Sequence, residues 1–323
     1  MSLKLSSVSP RHPLAARPAE CSPESWATFR TRQPQDDAEF VRTCGMVLEC
    51  PGDVAQQSVA SYQTVPDPPV LCDRDKVACI SSDESACHLA CYQISEDATQ
   101  SQVVACGNTT AAVLAYDRAL RARQRGEAWA ELPGGFKAKI DALTTLSVCE
   151  SEASVYQTWR AIPFELRNVG AVAGHLCAEA HGPLNDYLIV LARPDENVHH
   201  FPLAQAKAIW EASGSLANPL LSRMAVVQPK LYGSANLKFF TCGHLEHPSA
   251  PLTGLAVVAL ADRLLGWLDL VPGMPVHTSA GPMLMPELAV LGQGESDVCA
   301  DLRFPEVLVN LEPRSTAYLA KCA

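Results

Sequence analysis

The sequence predicts a mixed α/β (α+β) chain and, if an internal repeat in it is real, two similar domains that each hold one buried helix. Three observations predict it. Two Ala/Leu/Val-rich stretches, at about 108–125 and 255–268, each open where an apolar run gives way to a loop. Short β-type runs bounded by Pro, Gly and Asp surround both. The stretches also superpose at an offset of 145, so that 106–120 falls on 251–265 and Asp117-Arg118 falls on Asp262-Arg263. Two apolar helices can match this well through composition alone, so duplication and coincidence are both open readings. A duplication would set two helix N-termini on a shared cleft, where their dipoles would hold a dianion.

Length and composition bound the answer. A chain of 323 residues forms one large or two medium domains. The expected division is 1–183 and 184–323, with the last strands crossing back. Hydrophobic content of 48% and charged content of 19% describe an ordinary globular protein with a sizeable core. A net charge of −10 without any Lys/Arg cluster argues against a nucleic-acid surface. The longest apolar stretch, 255–270, is broken by Asp262 and Arg263, so no membrane span is expected. The first twenty residues lack an apolar signal-peptide core, and thirteen cysteines show no extracellular spacing. These features predict reduced thiols and a cytoplasmic protein. Oligomeric state is open, with a homodimer among the expectations.

Taken in order, residues 1–40 are an irregular Ser/Pro/Arg/Ala-rich leader with room for one strand or short helix. Strands are expected at 40–48, 61–71 and 76–80, with a second short element at 88–94. A helix then runs from the Cys106 loop to about 125, with an apolar face (Ala112, Val113, Tyr116, Leu120) and a basic end. Several strands follow to about 180, then one at 188–191 and a helix at 203–211. Strands at 224–227 and 237–241 precede the second apolar helix, which Pro272-Gly273 would end. Closing strands are expected at 289–291, 299–304 and 307–311.

Cys106-Gly107-Asn108-Thr109 is the chemically suggestive stretch. A cysteine at the positive end of a helix dipole is favoured in its nucleophilic thiolate form. The same helix end offers free backbone N–H groups to a carboxylate, and Asn108 and Thr109 are typical capping residues. A buried cysteine with no reactive role is the plain alternative. Two groups of metal-ligand types, Cys242/His244/Glu246/His247 and Cys87/His88/Cys91, lack paired Cys-x-x-Cys spacing and are not read as zinc sites.

Four motifs in order resemble the diaminopimelate epimerase-like superfamily. The closer similarity is to its 2-methylaconitate isomerase and 4-oxalomesaconate tautomerase branch. They are Asp75-Lys76-Val77-Ala78, Cys106-Gly107-Asn108 with Ala111-Ala112-Val113, His247 followed by Pro251-Leu252-Thr253-Gly254, and His277-Thr278-Ser279-Ala280-Gly281. The resemblance implies two similar domains, each a curved sheet round a central helix, and neither metal nor organic cofactor. It implies a small carboxylate substrate whose carbon–carbon double bond moves by a 1,3-proton shift. Lys76 and Cys106 would be the acid/base pair. Asn108, Thr109, His247, Thr253, Gly254, His277 and Ser279 would bind substrate.

The chain also departs from that pattern. The family's Gly-Gly-Thr-Ser loop is absent from the first fifty residues, position 75 is Asp rather than Ser, and the His277 loop has diverged. Pro251 stands where diaminopimelate epimerases carry their second cysteine, which speaks against two-thiol racemisation. Cys242, nine residues before Pro251, is a reserve candidate. An epimerase or proton-transfer cyclase of a biosynthetic pathway is the second reading. A non-catalytic carboxylate- or partner-binding protein is the third.

Overall fold

A computed structural model describes residues 25–37, 41–49, 75–82, 87–94, 100–103, 106–121, 129–132, 136–143, 152–182, 186–214, 222–230, 233–241, 245–247, 250–294 and 297–313. The expected strand at 61–71 and the reserve candidate Cys242 lie outside the described residues.

The leader contributes a strand, β1 (Ser25–Arg32), with Ala27, Phe29 and Thr31 alternating into the core. It pairs antiparallel with β2 (Thr43–Glu49), which runs parallel to β3 (Asp75–Ser82). The hairpin partners β4 (Cys87–Ile94) and β5 (Gln100–Val103) lead into helix α1 (Gly107–Arg121). β6 (Trp129–Leu132) then returns parallel to β4, followed by β7 (Phe136–Leu143) and the long β8 (Glu152–Val172).

The same course follows again. β9 (His175–His181) is antiparallel to β10 (Asp186–Leu191), and β10 is parallel to β11 (Ser222–Pro229). A 3₁₀ turn (Val198–His200) and helix α2 (Leu203–Ser213) interrupt the repeat between β10 and β11. β12 (Ala235–Thr241) and β13 (Leu245–His247) then lead into α3 (Leu252–Leu265). β14 (Pro275–Thr278) returns parallel to β12, and β15 (Gly281–Leu284), β16 (Glu287–Gln293) and the long β17 (Asp297–Pro313) close the chain. The two halves thus repeat one order of parallel and antiparallel pairings, which composition alone does not produce.

Each long closing strand pairs with the first strand of the other half: β17 with β1, and β8 with β9. β8 and β17 also pair with each other. The strands β1-β2-β3-β4-β6-β7-β8-β17 therefore close a ring around α1. Ala111 to Tyr116 of α1 and Leu255 to Val258 of α3 are fully buried in one shared core. A second, smaller core lies under α2, on the other face of β10, β11 and β12.

Two helix limits differ from the sequence expectation. α1 starts at Gly107, with Cys106 at the N-cap, so Asn108 and Thr109 lie inside the first turn and are not caps. α3 ends at Gly266, in the left-handed region at φ 66°, before the expected Pro272-Gly273. The buried Asp262 carboxylate accepts from the Asp269 and Leu270 amides at 3.1 and 2.6 Å, which fixes the turn after the helix. β17 also runs through the break expected at 305–306.

A buried ion pair tethers the leader strand. Arg42 and Asp36 are bonded between β1 and β2 with side chains only 1% and 4% exposed, and Arg42 Nη1 lies 3.0 Å from Met283 Sδ on β15. Removing one partner strands a buried charge. Asp36→Ala is therefore expected to lower unfolding free energy by about 3–5 kcal/mol in urea titration.

Candidate active site

The site lies where the N-termini of α1 and α3 meet. A Cβ at Gly107 would stand 2.9 Å from Leu252 Cβ, so the first residues of the two helices are in contact. Pro251 and Cys106 are the N-caps of the two helices, the correspondence the 145-residue offset predicts. The first-turn amides of both helices have no intrahelical acceptor, so two positive dipole ends converge on one place.

Lys76 reaches this place from β3. It continues the inward-facing row of Ala78 and Ile80, both fully buried against α1. Its neighbour on β2 is Gly45, where a Cβ would fall 2.0 Å from the Lys76 carbonyl oxygen. Only glycine permits that approach. Burial holds the Lys76 ammonium below the ordinary lysine range, and the Arg223 guanidinium pushes the same way, while the Cys106 and Cys91 thiols oppose both. Lys76, Cys106, Cys91 and Arg223 thus lie within electrostatic reach of one another.

The two thiols differ. Cys106 is half-buried, at the helix N-cap. Cys91 is fully buried, and burial raises its pKa, with Cys106 adding to the rise and Lys76 opposing it. Cys91 therefore stays a neutral thiol.

The Cys106 loop is held from below. Gln157 on β8, fully buried, donates from Nε2 to the Gly107 carbonyl at 2.7 Å and accepts from Trp159 Nε1 at 3.0 Å. Asn108 Nδ2 donates to Thr43 Oγ1 at 3.1 Å. Among the described residues, the buried oxygens Asn108 Oδ1, Thr109 Oγ1 and Thr110 Oγ1 have no hydrogen-bond partner. Buried polar atoms are seldom left so. On the α3 side, Gly254 faces Phe239 and the Tyr187 hydroxyl, and a Cβ there would be 2.6 Å from Phe239 Cε1.

The structure gathers Lys76, Cys106, Asn108, Thr109, Thr253 and Gly254 around the paired helix ends. His247 stands opposite Phe239 in the β12–β13 pair and so shares the face that covers α3. His277 and Ser279 are not part of this cluster. Val276 and Thr278 point inward, so His277 points to the other face of the sheet. There burial, Lys230 and His199 together depress its pKa. Ser279 donates to Glu246 at 3.0 Å, and Glu246 pairs with Lys238. Thr43, Gly45, Gln157, Tyr187 and Arg223 lie around the same helix ends and escape the sequence reading. A buried Gln beside a Trp on one strand is the only local signal among them.

Contact at Gly107 gives a direct test. Alanine ordinarily favours a helix over glycine by about 1 kcal/mol. Here the added methyl would meet buried Leu252 at 2.9–3.0 Å. Gly107→Ala is expected to destabilise the protein by about 1–3 kcal/mol in denaturant titration, the overpacking effect overriding propensity.

Among the described residues no group of three His, Cys, Asp or Glu side chains could hold a metal ion, and no helix is long and apolar enough to cross a membrane.

A repeated mixed sheet wrapped round two helices that meet end to end defines the diaminopimelate epimerase-like fold. Solved structures bear this out. The chain is similar to a hydroxyproline epimerase from Agrobacterium vitis with bound trans-4-hydroxy-L-proline (TM-score 0.58, 11% identity, 91% of this chain and 94% of that one). It is similar to a probable proline racemase from Agrobacterium radiobacter with bound carbonate (TM-score 0.55, 10% identity, 90% and 93%). A phenazine biosynthesis protein of the PhzF family from Bacillus anthracis also matches (TM-score 0.51, 11% identity, 90% and 98%). No protein-family model matches the sequence. No curated protein matches it.

Proposed function

We propose that the protein is a cofactor-independent isomerase that moves a carbon–carbon double bond in a small unsaturated di- or tricarboxylate. The observation that carries this reading is the half-buried Lys76 amine, its pKa lowered, within electrostatic reach of the Cys106 thiol at two converging helix N-termini. Neutral Lys76 takes the allylic proton, and the released C–H electron pair forms the new double bond. The electrons of the old double bond move into the conjugated carboxylate as a dienolate. Cys106 returns a proton to the far carbon, and the two side chains exchange protons with solvent to reset. The helix ends and Asn108, Thr109 and Thr253 face the growing negative charge. The resemblance to 2-methylaconitate isomerases and 4-oxalomesaconate tautomerases supports this substrate class. Pro251 opposite Cys106 supports it further, because the site offers one thiol and one amine rather than two equivalent thiols.

The test is proton NMR in D₂O with a panel of alkene di- and tricarboxylates. The expected result is deuterium at an allylic carbon with a shifted double bond. Deuterium at a stereocentre without a shift would make the protein an epimerase. Exchange with no member of the panel would leave a binding protein.

A further inference from the structure

We propose that Arg223 is the carboxylate anchor of the active site, the fixed-charge counterpart in the second half of what Lys76 is in the first. This deepens the isomerase reading and rests on it.

The duplicated topology carries the inference. Lys76 is the second residue of β3, and Arg223 is the second residue of β11. Each strand is parallel to the one before it and antiparallel to the one after. Each residue extends an inward row, Ala78 and Ile80 in one case and Ala225 and Val227 in the other, and all four of those are fully buried in the shared core. Arg223 stands directly beside Tyr187 on β10, whose hydroxyl lies 3.0 Å from the Cβ position of Gly254 at the α3 N-terminus. Its side chain therefore faces the helix end that faces Cys106.

Charge supplies the second, independent observation. Among the described residues no carboxylate or carbonyl partners the half-buried Arg223 guanidinium. By contrast, Arg32, Arg42, Arg160, Arg167, Arg193 and Arg303 each pair with a carboxylate. A partly desolvated guanidinium is costly without a counter-ion, and its planar fork fits a carboxylate in two-point contact. Arginine does not give up its proton near neutral pH, so it cannot duplicate the acid/base role of Lys76. The repeat thus sets a titratable amine in one half against a permanent cation in the other. A polycarboxylate would lie between them, with one carboxylate on Arg223 and its reacting carbon toward Lys76 and Cys106. The guanidinium also favours neutral Lys76, so the anchor and the base are coupled.

The experiment is calorimetric titration of the full chain with tricarballylate, a saturated tricarboxylate that cannot react. Arg223→Gln is expected to weaken binding by about tenfold or more, and Arg223→Lys to fall between, since an ammonium keeps the charge but not the fork. Equal affinity in wild type and Arg223→Gln overturns the anchor and leaves the isomerase reading intact. No binding to the wild type overturns both. Phenylglyoxal labelling of the wild type, read by peptide mass spectrometry, serves if the variant does not fold. Tricarballylate should protect Arg223, and an unchanged labelling rate overturns the assignment.

Discussion

Cys106→Ser is expected to lower kcat/KM by roughly 10²–10⁴-fold while the protein stays folded. The hydroxyl is somewhat smaller than the thiol and keeps its hydrogen-bonding capacity but is a far weaker acid, so in the proposed mechanism it delivers no proton to the dienolate at a useful rate. The N-cap position supports a purely chemical effect. The Cys106 carbonyl, not its side chain, accepts the Thr110 amide at 2.8 Å, and the Gln157 brace acts on Gly107. Serine is itself a favoured N-cap, so helix stability should not fall. Cys91 provides the control. It lies in the same electrostatic cluster but is fully buried and held neutral. Cys91→Ala should cost about 1 kcal/mol of packing and change kcat/KM by less than about threefold. A deep loss in Cys91→Ala with little change in Cys106→Ser would exchange the two roles.

The sequence shows the first helix end more clearly than the second, for a physical reason. Cys106-Gly107-Asn108 concentrates a thiol, a glycine and a polar residue in three positions. The α3 end has only Pro251, Leu252, Thr253 and Gly254, which read as an ordinary helix start. Glycine at 107 and 254 is explained only by what approaches it, Leu252 in one case and Phe239 with Tyr187 in the other. Those neighbours lie more than fifty residues away or arrive from another strand, beyond the reach of local pattern. Arg223 is illegible for the same reason, since its meaning comes from its place relative to Lys76 across the repeat. The His277 loop shows the opposite failure. Its spacing resembles a binding loop, but strand alternation turns the imidazole to the other face of the sheet. One residue of register decides that, and a motif without an observed register cannot. The leader strand was legible in principle, because Ala27, Phe29 and Thr31 alternate, but three inward residues among Arg and Ser make a weak signal.

Lys76→Met should be the most damaging single change, because it removes the proposed base and leaves a side chain of similar length in the same inward row. A loss of roughly 10²–10⁴-fold or more in kcat/KM is expected. The pH dependence gives the sharper test. In the proposed mechanism protonated Lys76 cannot accept the allylic proton, so the rate should climb as pH rises through its pKa and level off above it. Burial and Arg223 both lower that pKa, so the rising limb should lie below the ordinary lysine range near 10.4. In Lys76→Met the residual rate should lose this limb, because the group that produced it is gone. In Lys76→Arg the positive charge persists at every working pH, so tricarballylate should still bind while turnover is lost, separating charge from basicity. A rising limb retained unchanged in Lys76→Met would assign proton abstraction to another group. Cys106 would then have to act on both carbons from one face. Solvent deuterium would distinguish that mechanism, since a single group can carry the substrate's own proton across, whereas a Lys76/Cys106 pair must deliver a proton drawn from water.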